Sequence, residues 1–170
     1  CRSKYTYAST LAASLAYVLL RQQDAVGLLT ADTQARSWVP PRANSSHLMH
    51  LCEVLLAQTP EVGTATDLSS AMRTLSEVFV RRGLVFIFSD FLDTSREWLQ
   101  TLRLMRARKQ QVTLFHILDP WETTFPFDKM TTFRSLETGR EVLVEPNGLR
   151  ESYRREMKRF LSNTQSMCHS

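Results

Sequence analysis

The sequence predicts an α/β fold in which a mostly parallel sheet is covered by helices on both faces. Continuous apolar runs at 84–89 and 111–118 are typical of strands that are buried on both faces. Segments with helical spacing of apolar residues alternate with these runs, which is the element order of α/β folds. Sheets of this kind place binding sites at the carboxyl ends of their strands.

Helices are predicted where apolar residues recur three and four positions apart. A Thr94–Glu97 capping box starts one of them. A polar loop precedes the helix that begins near Asp67. The predicted helices cover residues 3–22 (with Leu11, Leu15, Val18 and Leu19 buried), 45–58, 67–82, 94–109 and 148–161.

Strands are predicted where short apolar runs lie between polar residues. The connection after the first strand is short, so its partner should be antiparallel, and the prolines place that partner at a sheet edge. A hairpin should turn at Thr138–Gly139. The predicted strands are 24–31, its antiparallel partner 33–39, 84–89, 111–118 and the two arms of the 133–146 hairpin.

The run that ends at Asp90 is the most apolar of the chain. Because side chains alternate along a strand, Val85 and Ile87 should face one side of the sheet and Phe86 and Phe88 the other. Asp90 then lies where the strand leaves the core, and a carboxylate there reaches solvent or a cation without full burial.

Composition limits the class of protein. A chain of 170 residues with 43% hydrophobic and 22% charged residues fits one globular domain, and no apolar stretch reaches the ~20 residues that a membrane span needs. Three cysteines without metal-ligand spacing fit free thiols in a reducing cytoplasm. The net charge of +4 leaves nucleic-acid binding open as an alternative, although solvated helix faces explain it better.

Motifs for phosphate loops and nucleophile elbows are missing from the sequence. His47 and His50 are spaced for one helix face, but no third ligand lies nearby in the sequence, so we expect a water-facing surface. His116 should be a packed, hydrogen-bonded core residue. Thr66 and Asp90 are the remaining candidates, because a hydroxyl and a carboxylate at one sheet edge suit a hard cation such as Mg²⁺ or Mn²⁺. Such residues at helix starts are more often caps.

Five segments carry a resemblance that runs through nearly the whole chain in the same order. They are "SKYTYASTLAASLAYVLLRQQDAVGLLTAD", "GTATDL", "VFIFSDFLD", "HILDPWE" and "LETGREVLVEP". The sequence resembles the von Willebrand factor A-like domain of bacterial proteins in the domain of unknown function 58 family. The resemblance implies a doubly wound, mostly parallel sheet of the Rossmann-like type, and proteins that work beside MoxR-type AAA+ ATPases.

The resemblance also implies a metal-ion-dependent adhesion site, with Thr66 and Asp90 as two of its three parts. The third part, an Asp-x-Ser-x-Ser segment on the first central strand, would precede Cys1. We therefore expect one domain over 1–170 that is incomplete at both ends and lacks the first central strand and the last strand. A gap should then separate the strands at 24–31 and 84–89, and this chain should bind Mg²⁺ poorly because ligands are missing.

The sequence leads to the hypothesis of a non-enzymatic, cytoplasmic protein-binding module. Its partner would offer a carboxylate to the metal, and would be a MoxR-type ATPase or its client. Asp67, Asp93 and Asp119 would lie on the rim of that surface, or would serve as helix caps. Asp90→Ala should weaken metal-dependent binding and leave the fold intact. The alternatives are a metal-dependent hydrolase or phosphatase on a similar sheet, and a nucleic-acid binder that uses basic helices.

Overall fold

The structure is a computed structural model that describes residues 3–58, 67–92, 95, 97–135 and 139–169, and it shows a mixed α/β fold. The helices are α1 (Lys4–Arg21), α2 (His47–Ala57), α3 (Leu68–Val78), α4 (Trp98–Ala107), α5 (Pro120–Thr124) and α6 (Pro146–His169). The strands are β1 (Val26–Ala31), β2 (Ala35–Arg42), β3 (Leu84–Ser89), β4 (Gln111–His116), β5 (Thr131–Arg134) and β6 (Glu141–Val144).

The strands of the described residues pair into three two-stranded sheets. β1 and β2 are antiparallel, as are β5 and β6, and both pairings confirm the sequence prediction. β3 and β4 are parallel, with Leu84 opposite Gln111 at one end and Ser89 opposite His116 at the other. Within the described part of the chain no ladder joins β1 to β3. The fold shown is α/β with one parallel pair, and the continuous doubly wound sheet stays a prediction.

The main core lies between the β3–β4 pair and helices α3 and α4. Phe86 and Phe88 point away from this core and pack on Phe115 of β4, with Phe88 stacked at a centroid distance of 4.8 Å. The predicted alternation along β3 is therefore confirmed. Burial of each aliphatic side chain contributes roughly 1.5–3 kcal/mol, which anchors the strand that ends at the candidate site. The buried residues of this core are Leu68, Met72, Val85, Ile87, Phe91, Trp98 and Met105.

A second cluster joins α1 and α2 to the β1–β2 pair through Ala16, Leu20, Val39 and Leu51. The predicted stripe on α1 is wrong at Val18, whose side chain is exposed. Apolar residues lie on several sides of this helix, so spacing alone does not decide which side is buried. Packing against α2 makes the i, i+4 pair Ala16 and Leu20 the buried one.

The histidines of α2 have different environments. His50 is exposed, as expected, but His47 is buried and its Nε2 lies 2.8 Å from the Val26 carbonyl oxygen, to which it donates a hydrogen bond. The expectation of a water-facing surface is therefore wrong for His47. A buried imidazole needs a polar partner, and β1 supplies one.

Two predicted helix boundaries differ from the structure. α3 ends at Val78 rather than near residue 82, because the Phe79 and Arg81 carbonyls accept hydrogen bonds from the buried Gln110 side chain at 2.6 and 2.9 Å. α4 begins at Trp98 instead of at the predicted capping box. The box residue Thr94 lies outside the described residues.

The C-terminal third packs through aromatic rings. Phe125 ends α5 with a φ of 46° and contacts the rings of Phe127, Phe133 and Tyr153 at centroid distances of 4.6 to 5.8 Å. α5 is absent from the predicted helices, and α6 continues to His169, beyond the predicted end near residue 161. Among the described residues, no helix combines the length and apolar character that crossing a membrane requires.

Candidate functional site

The carboxyl ends of β3 and β4 meet at one edge of their sheet, and Asp90 is the first residue beyond β3. The Ile117 N–H donates to the Ser89 carbonyl at 2.9 Å, and His116 Nε2 lies 2.9 Å from the Asp90 carbonyl oxygen. His116 is half-buried and also packs edge-on against Phe91, so it is the hydrogen-bonded packing residue that the sequence predicts. These contacts fix the backbone of Asp90 at the strand end.

The Asp90 carboxylate is held at both oxygens. Oδ2 accepts a hydrogen bond from Lys4 Nζ at 2.8 Å, and Oδ1 accepts a longer one from the Leu92 N–H at 3.4 Å. Phe91, which lies between Asp90 and Leu92 in the chain, has a φ of 53° and is buried in the main core. The turn that follows β3 is thus anchored by Phe91 while the carboxylate beside it stays about one-third exposed, at 34%.

Lys4 also binds a second carboxylate. Its Nζ donates to Glu122 Oε1 at 2.8 Å, while Glu122 Oε2 accepts from the Asp119 N–H at 2.8 Å. Glu122 therefore completes the capping box of α5 and holds the ammonium at the same time. The resulting Lys4–Asp90–Glu122 cluster joins the first turn of α1, the end of β3 and the start of α5.

The electrostatics of this cluster keep Lys4 charged. Partial burial lowers the pKa of Lys4, but the hydrogen bonds and charges of Asp90 and Glu122 more than offset this, so the pKa lies above its usual range. Burial and the Glu122 charge raise the pKa of Tyr153, while Lys4 opposes that rise. Tyr153 is thus a neutral neighbour of the cluster.

The predicted site residues are only partly brought together. Thr66 and Asp93 lie outside the described residues. Asp67 is the N-cap of α3, where its Oδ1 accepts from the Ser70 N–H at 2.8 Å, and its own N–H donates to the Asp32 carbonyl at 2.9 Å. Asp119 is the N-cap of α5. Both aspartates therefore act as helix caps, the alternative that the sequence left open.

The start of α3 lies beside the segment that follows Asp90. Leu68 packs in the same buried cluster as Phe91, and Ser69 Oγ lies 3.5 Å from Ser95 Oγ. These contacts place the first turn of α3 near the segment after β3.

The described residues do not fit a Mg²⁺ site. They contain no group of three or more His, Cys, Asp or Glu side chains that could hold a metal ion. Asp90 Oδ2 already binds the Lys4 ammonium, and an octahedral Mg²⁺ needs about six ligands. No chemical step of this site is therefore assigned to a metal.

Sequence reasoning did not identify Lys4 or Glu122 as site residues. A signal for Glu122 was present, because Asp119, Pro120 and Glu122 have the spacing of a helix start with a capping box. Nothing in the spacing links Glu122 to Lys4, which is 118 positions away. Only the folded chain brings the three charges together.

The chain is similar to proteins whose function is not described. The sequence model of the family "Protein of unknown function DUF58" matches residues 1–162. Uncharacterized proteins of Mycobacterium bovis and of two strains of Mycobacterium tuberculosis are 30% identical over 159 residues. The matched segment covers 91% of this chain and 49% of each relative, so the chain spans about half the length of these relatives. No solved structure matches the chain.

Since the family match includes all six strands and most of α6, it extends over the entire β3–β4 edge and the Lys4–Asp90–Glu122 cluster. The chain belongs to the DUF58 family.

Proposed function

We propose that this protein is a non-enzymatic protein-binding module whose recognition surface is the carboxyl edge of β3 and β4 around Asp90. The observation that supports this most is the Lys4–Asp90–Glu122 cluster, in which three charged side chains are fixed by hydrogen bonds yet remain 28–34% exposed. Charges held in place at a surface lose little conformational entropy on binding, so they favour specific recognition.

The rival hypothesis of a hydrolase or phosphatase has less support. A lysine that serves as general base needs a lowered pKa, and the pKa of Lys4 is raised. The Nε2 atom of His116 is engaged by the Asp90 carbonyl, so it faces the backbone rather than a substrate.

The hypothesis of nucleic-acid binding has less support than that of protein binding. Several of the basic residues that would contact nucleic acid instead form hydrogen bonds within the fold. Arg108 donates to the Ser76 carbonyl, Arg150 to the Phe127 carbonyl and Arg154 to the Thr124 carbonyl. These guanidinium groups hold α4 and α6 to neighbouring segments. They are therefore less available to phosphates than their number in the sequence indicates.

The proposed partner is a MoxR-type AAA+ ATPase or its client in the cytoplasm, an assignment that rests on the family resemblance. The same resemblance proposes Mg²⁺ or Mn²⁺ at Thr66 and Asp90 in the complete protein. Such an ion would have to take Asp90 Oδ2 from Lys4. The proposal of a binding surface does not depend on it, because the fixed charges are present without a metal.

A pull-down of a purified MoxR-type ATPase tests the proposal, once with Mg²⁺ and once with EDTA. Asp90→Ala should weaken capture at least about tenfold, equivalent to roughly 1.4 kcal/mol. Asp24→Ala is the matched control, because it also removes one acid but lies beyond the far end of α1, an 18-residue helix about 27 Å long whose first residue, Lys4, contacts Asp90. Equal capture by both variants and the wild type would show that the edge is not the recognition surface.

A further inference from the structure

A groove of about 340 Å³ lies between α4, β4 and the last turn of α6. Its volume is within the range of roughly 300–1,000 Å³ that is usual for small-molecule sites. We infer that this groove binds a small anionic amphiphile, which is a molecule with an acidic head and a single short aliphatic chain. The inference goes beyond the proposed function and is independent of it, because none of the residues of the Lys4–Asp90–Glu122 cluster lines the groove.

The floor of the groove is apolar and is held in place by the main core. α4 contributes Leu99 and Leu102, β4 contributes Val112 and Leu114, and α6 contributes Met167. All five side chains are partly buried and pack against the main core. Because these contacts already order the side chains, an aliphatic chain that enters the groove buries apolar surface without having to order the walls.

Two arginines of α4 supply the polar part of the groove. Arg103 and Arg106 are three positions apart, so they are neighbours on the side of α4 that lines the groove. Both are exposed, and neither guanidinium forms a hydrogen bond or an ion pair with another described residue. Arg108, in contrast, donates to the Ser76 carbonyl at 2.6 Å and connects the end of α4 to α3. The Arg103 and Arg106 guanidinium groups are therefore the charges that a ligand would have to match.

The side chains around the groove determine the chemistry of the ligand. A guanidinium group has N–H donors and no acceptor, so the head of the ligand must accept hydrogen bonds. A carboxylate is matched best, because it accepts two parallel N–H···O bonds from one guanidinium. Among the described residues that line the groove none is acidic and none is aromatic. A negative head therefore meets no like charge there, and an aliphatic chain fits better than a nucleobase, which needs an aromatic ring to stack on.

The volume of the groove limits the length of the aliphatic chain. At roughly 30 Å³ for each water-sized group, 340 Å³ holds about eleven groups, or a carboxylate with about nine carbons in all. A membrane lipid with two long chains exceeds this volume. Val112 lies four residues before His116, about 13 Å from the carboxyl end of β4. The groove and the surface around Asp90 can therefore be tested separately.

Calorimetric titration of the full-length protein with decanoate, below the concentration at which decanoate forms micelles, tests the inference. We expect a Kd below about 1 mM, as for about a dozen non-hydrogen atoms at the binding energy per atom of drug-sized ligands. From hexanoate to decanoate, each added methylene should tighten binding by up to about fourfold, and the gain should end when the groove is full. Decyltrimethylammonium, which has the same chain and a positive head, should bind at least about tenfold more weakly than decanoate.

Variants of the arginines show whether the anion binds at this groove. The double variant Arg103→Gln, Arg106→Gln should weaken decanoate binding at least about fivefold, because two exposed ion pairs are lost. Arg155→Gln is the matched control, because it also removes an exposed arginine but lies about 18 Å along α6 from Met167. In protein labelled at the methionine methyl groups, decanoate should shift the NMR signal of Met167 and leave that of the exposed Met49 on α2 unchanged.

Four results would overturn the inference. The first is the absence of saturable binding of decanoate. The second is equal affinity of the double variant and Arg155→Gln for decanoate. The third is binding that leaves the Met167 signal in place, since the ligand then lies elsewhere. The fourth is a hexaglutamate peptide that binds as tightly as decanoate, because the arginines would then recognise an acidic protein segment without any contribution from the apolar floor.

Discussion

Removal of the Asp90 carboxylate should destabilise the chain, although the sequence alone predicts that the fold stays intact. Asp90→Ala deletes the 2.8 Å hydrogen bond from Lys4 Nζ and the 3.4 Å bond from the Leu92 N–H. Both charged side chains are 34% exposed, so solvent screening limits the loss to about 1 kcal/mol. In a chain of 170 residues this lowers the melting temperature by about 2–4 °C.

Differential scanning calorimetry at neutral pH and low salt measures this effect. Asp24→Ala provides the control, because it changes the net charge equally but removes no side-chain contact that the structure describes. In high salt the gap between the two variants should narrow, since screening weakens a half-exposed ion pair. If Asp90→Ala melts at or above the temperature of Asp24→Ala, then Asp90 gains nothing from Lys4 in solution and the ion pair does not form there.

Three further predictions concern stability. Met105→Ala should cost about 2–5 kcal/mol in urea unfolding, because the Met105 side chain is fully buried, whereas the neighbouring Leu104→Ala, with a 45% exposed side chain, should cost less than about 1 kcal/mol. Gln110→Leu should cost about 1–3 kcal/mol, because two carbonyls of the α3–β3 connection lose their donor, while exposed Gln100→Leu should be near neutral. Desolvation raises the pKa of Asp32, but hydrogen bonds from the Arg36 guanidinium and from the Gln34 N–H lower it more. The pKa of Asp32 in the folded chain is therefore depressed. Its contribution is therefore present above the unfolded pKa of about 3.9 and lost as pH falls through the lower folded value, so the urea stabilities of wild type and Asp32→Asn should converge as the pH falls through this window.

Each of these predictions has an outcome that contradicts it. Equal losses from Met105→Ala and Leu104→Ala would place Met105 outside the core. A neutral Gln110→Leu would show that water replaces the amide. A gap between wild type and Asp32→Asn that stays constant as the pH falls from neutral to well below the unfolded pKa of about 3.9 would show that the Asp32 carboxylate is not the source of the difference.

Much of the local structure can be predicted from the sequence, because it depends on the geometry of neighbouring residues along the chain. The alternation of Val85 and Ile87 against Phe86 and Phe88 is a consequence of strand geometry, and the structure reproduces it. The antiparallel β1–β2 pair follows from a connection too short for a crossover. Where tertiary contacts compete, the prediction is wrong, as for His47, whose burial depends on a carbonyl of β1.

The sequence predicted where Asp90 lies, but it did not predict which side chains contact Asp90. The strand-end location of Asp90 follows from the apolar run before it. Its partner does not, because Lys4 is 86 positions away and has no spacing relation to β3. Asp67 and Asp119 have the residue types and positions of helix caps, and they are caps in the structure.

The sequence by itself determined the α/β class, the parallel character of β3 and β4, and the edge at which Asp90 emerges. These depend on hydrophobic periodicity and chain geometry, which act over a few residues. Only the tertiary structure decided that Lys4 and Glu122 meet at Asp90, and that the stripe of α1 runs through Ala16 and Leu20. The physical reason is that contacts between distant segments depend on how whole helices pack, and charges separated by about a hundred residues leave no periodic trace in a sequence.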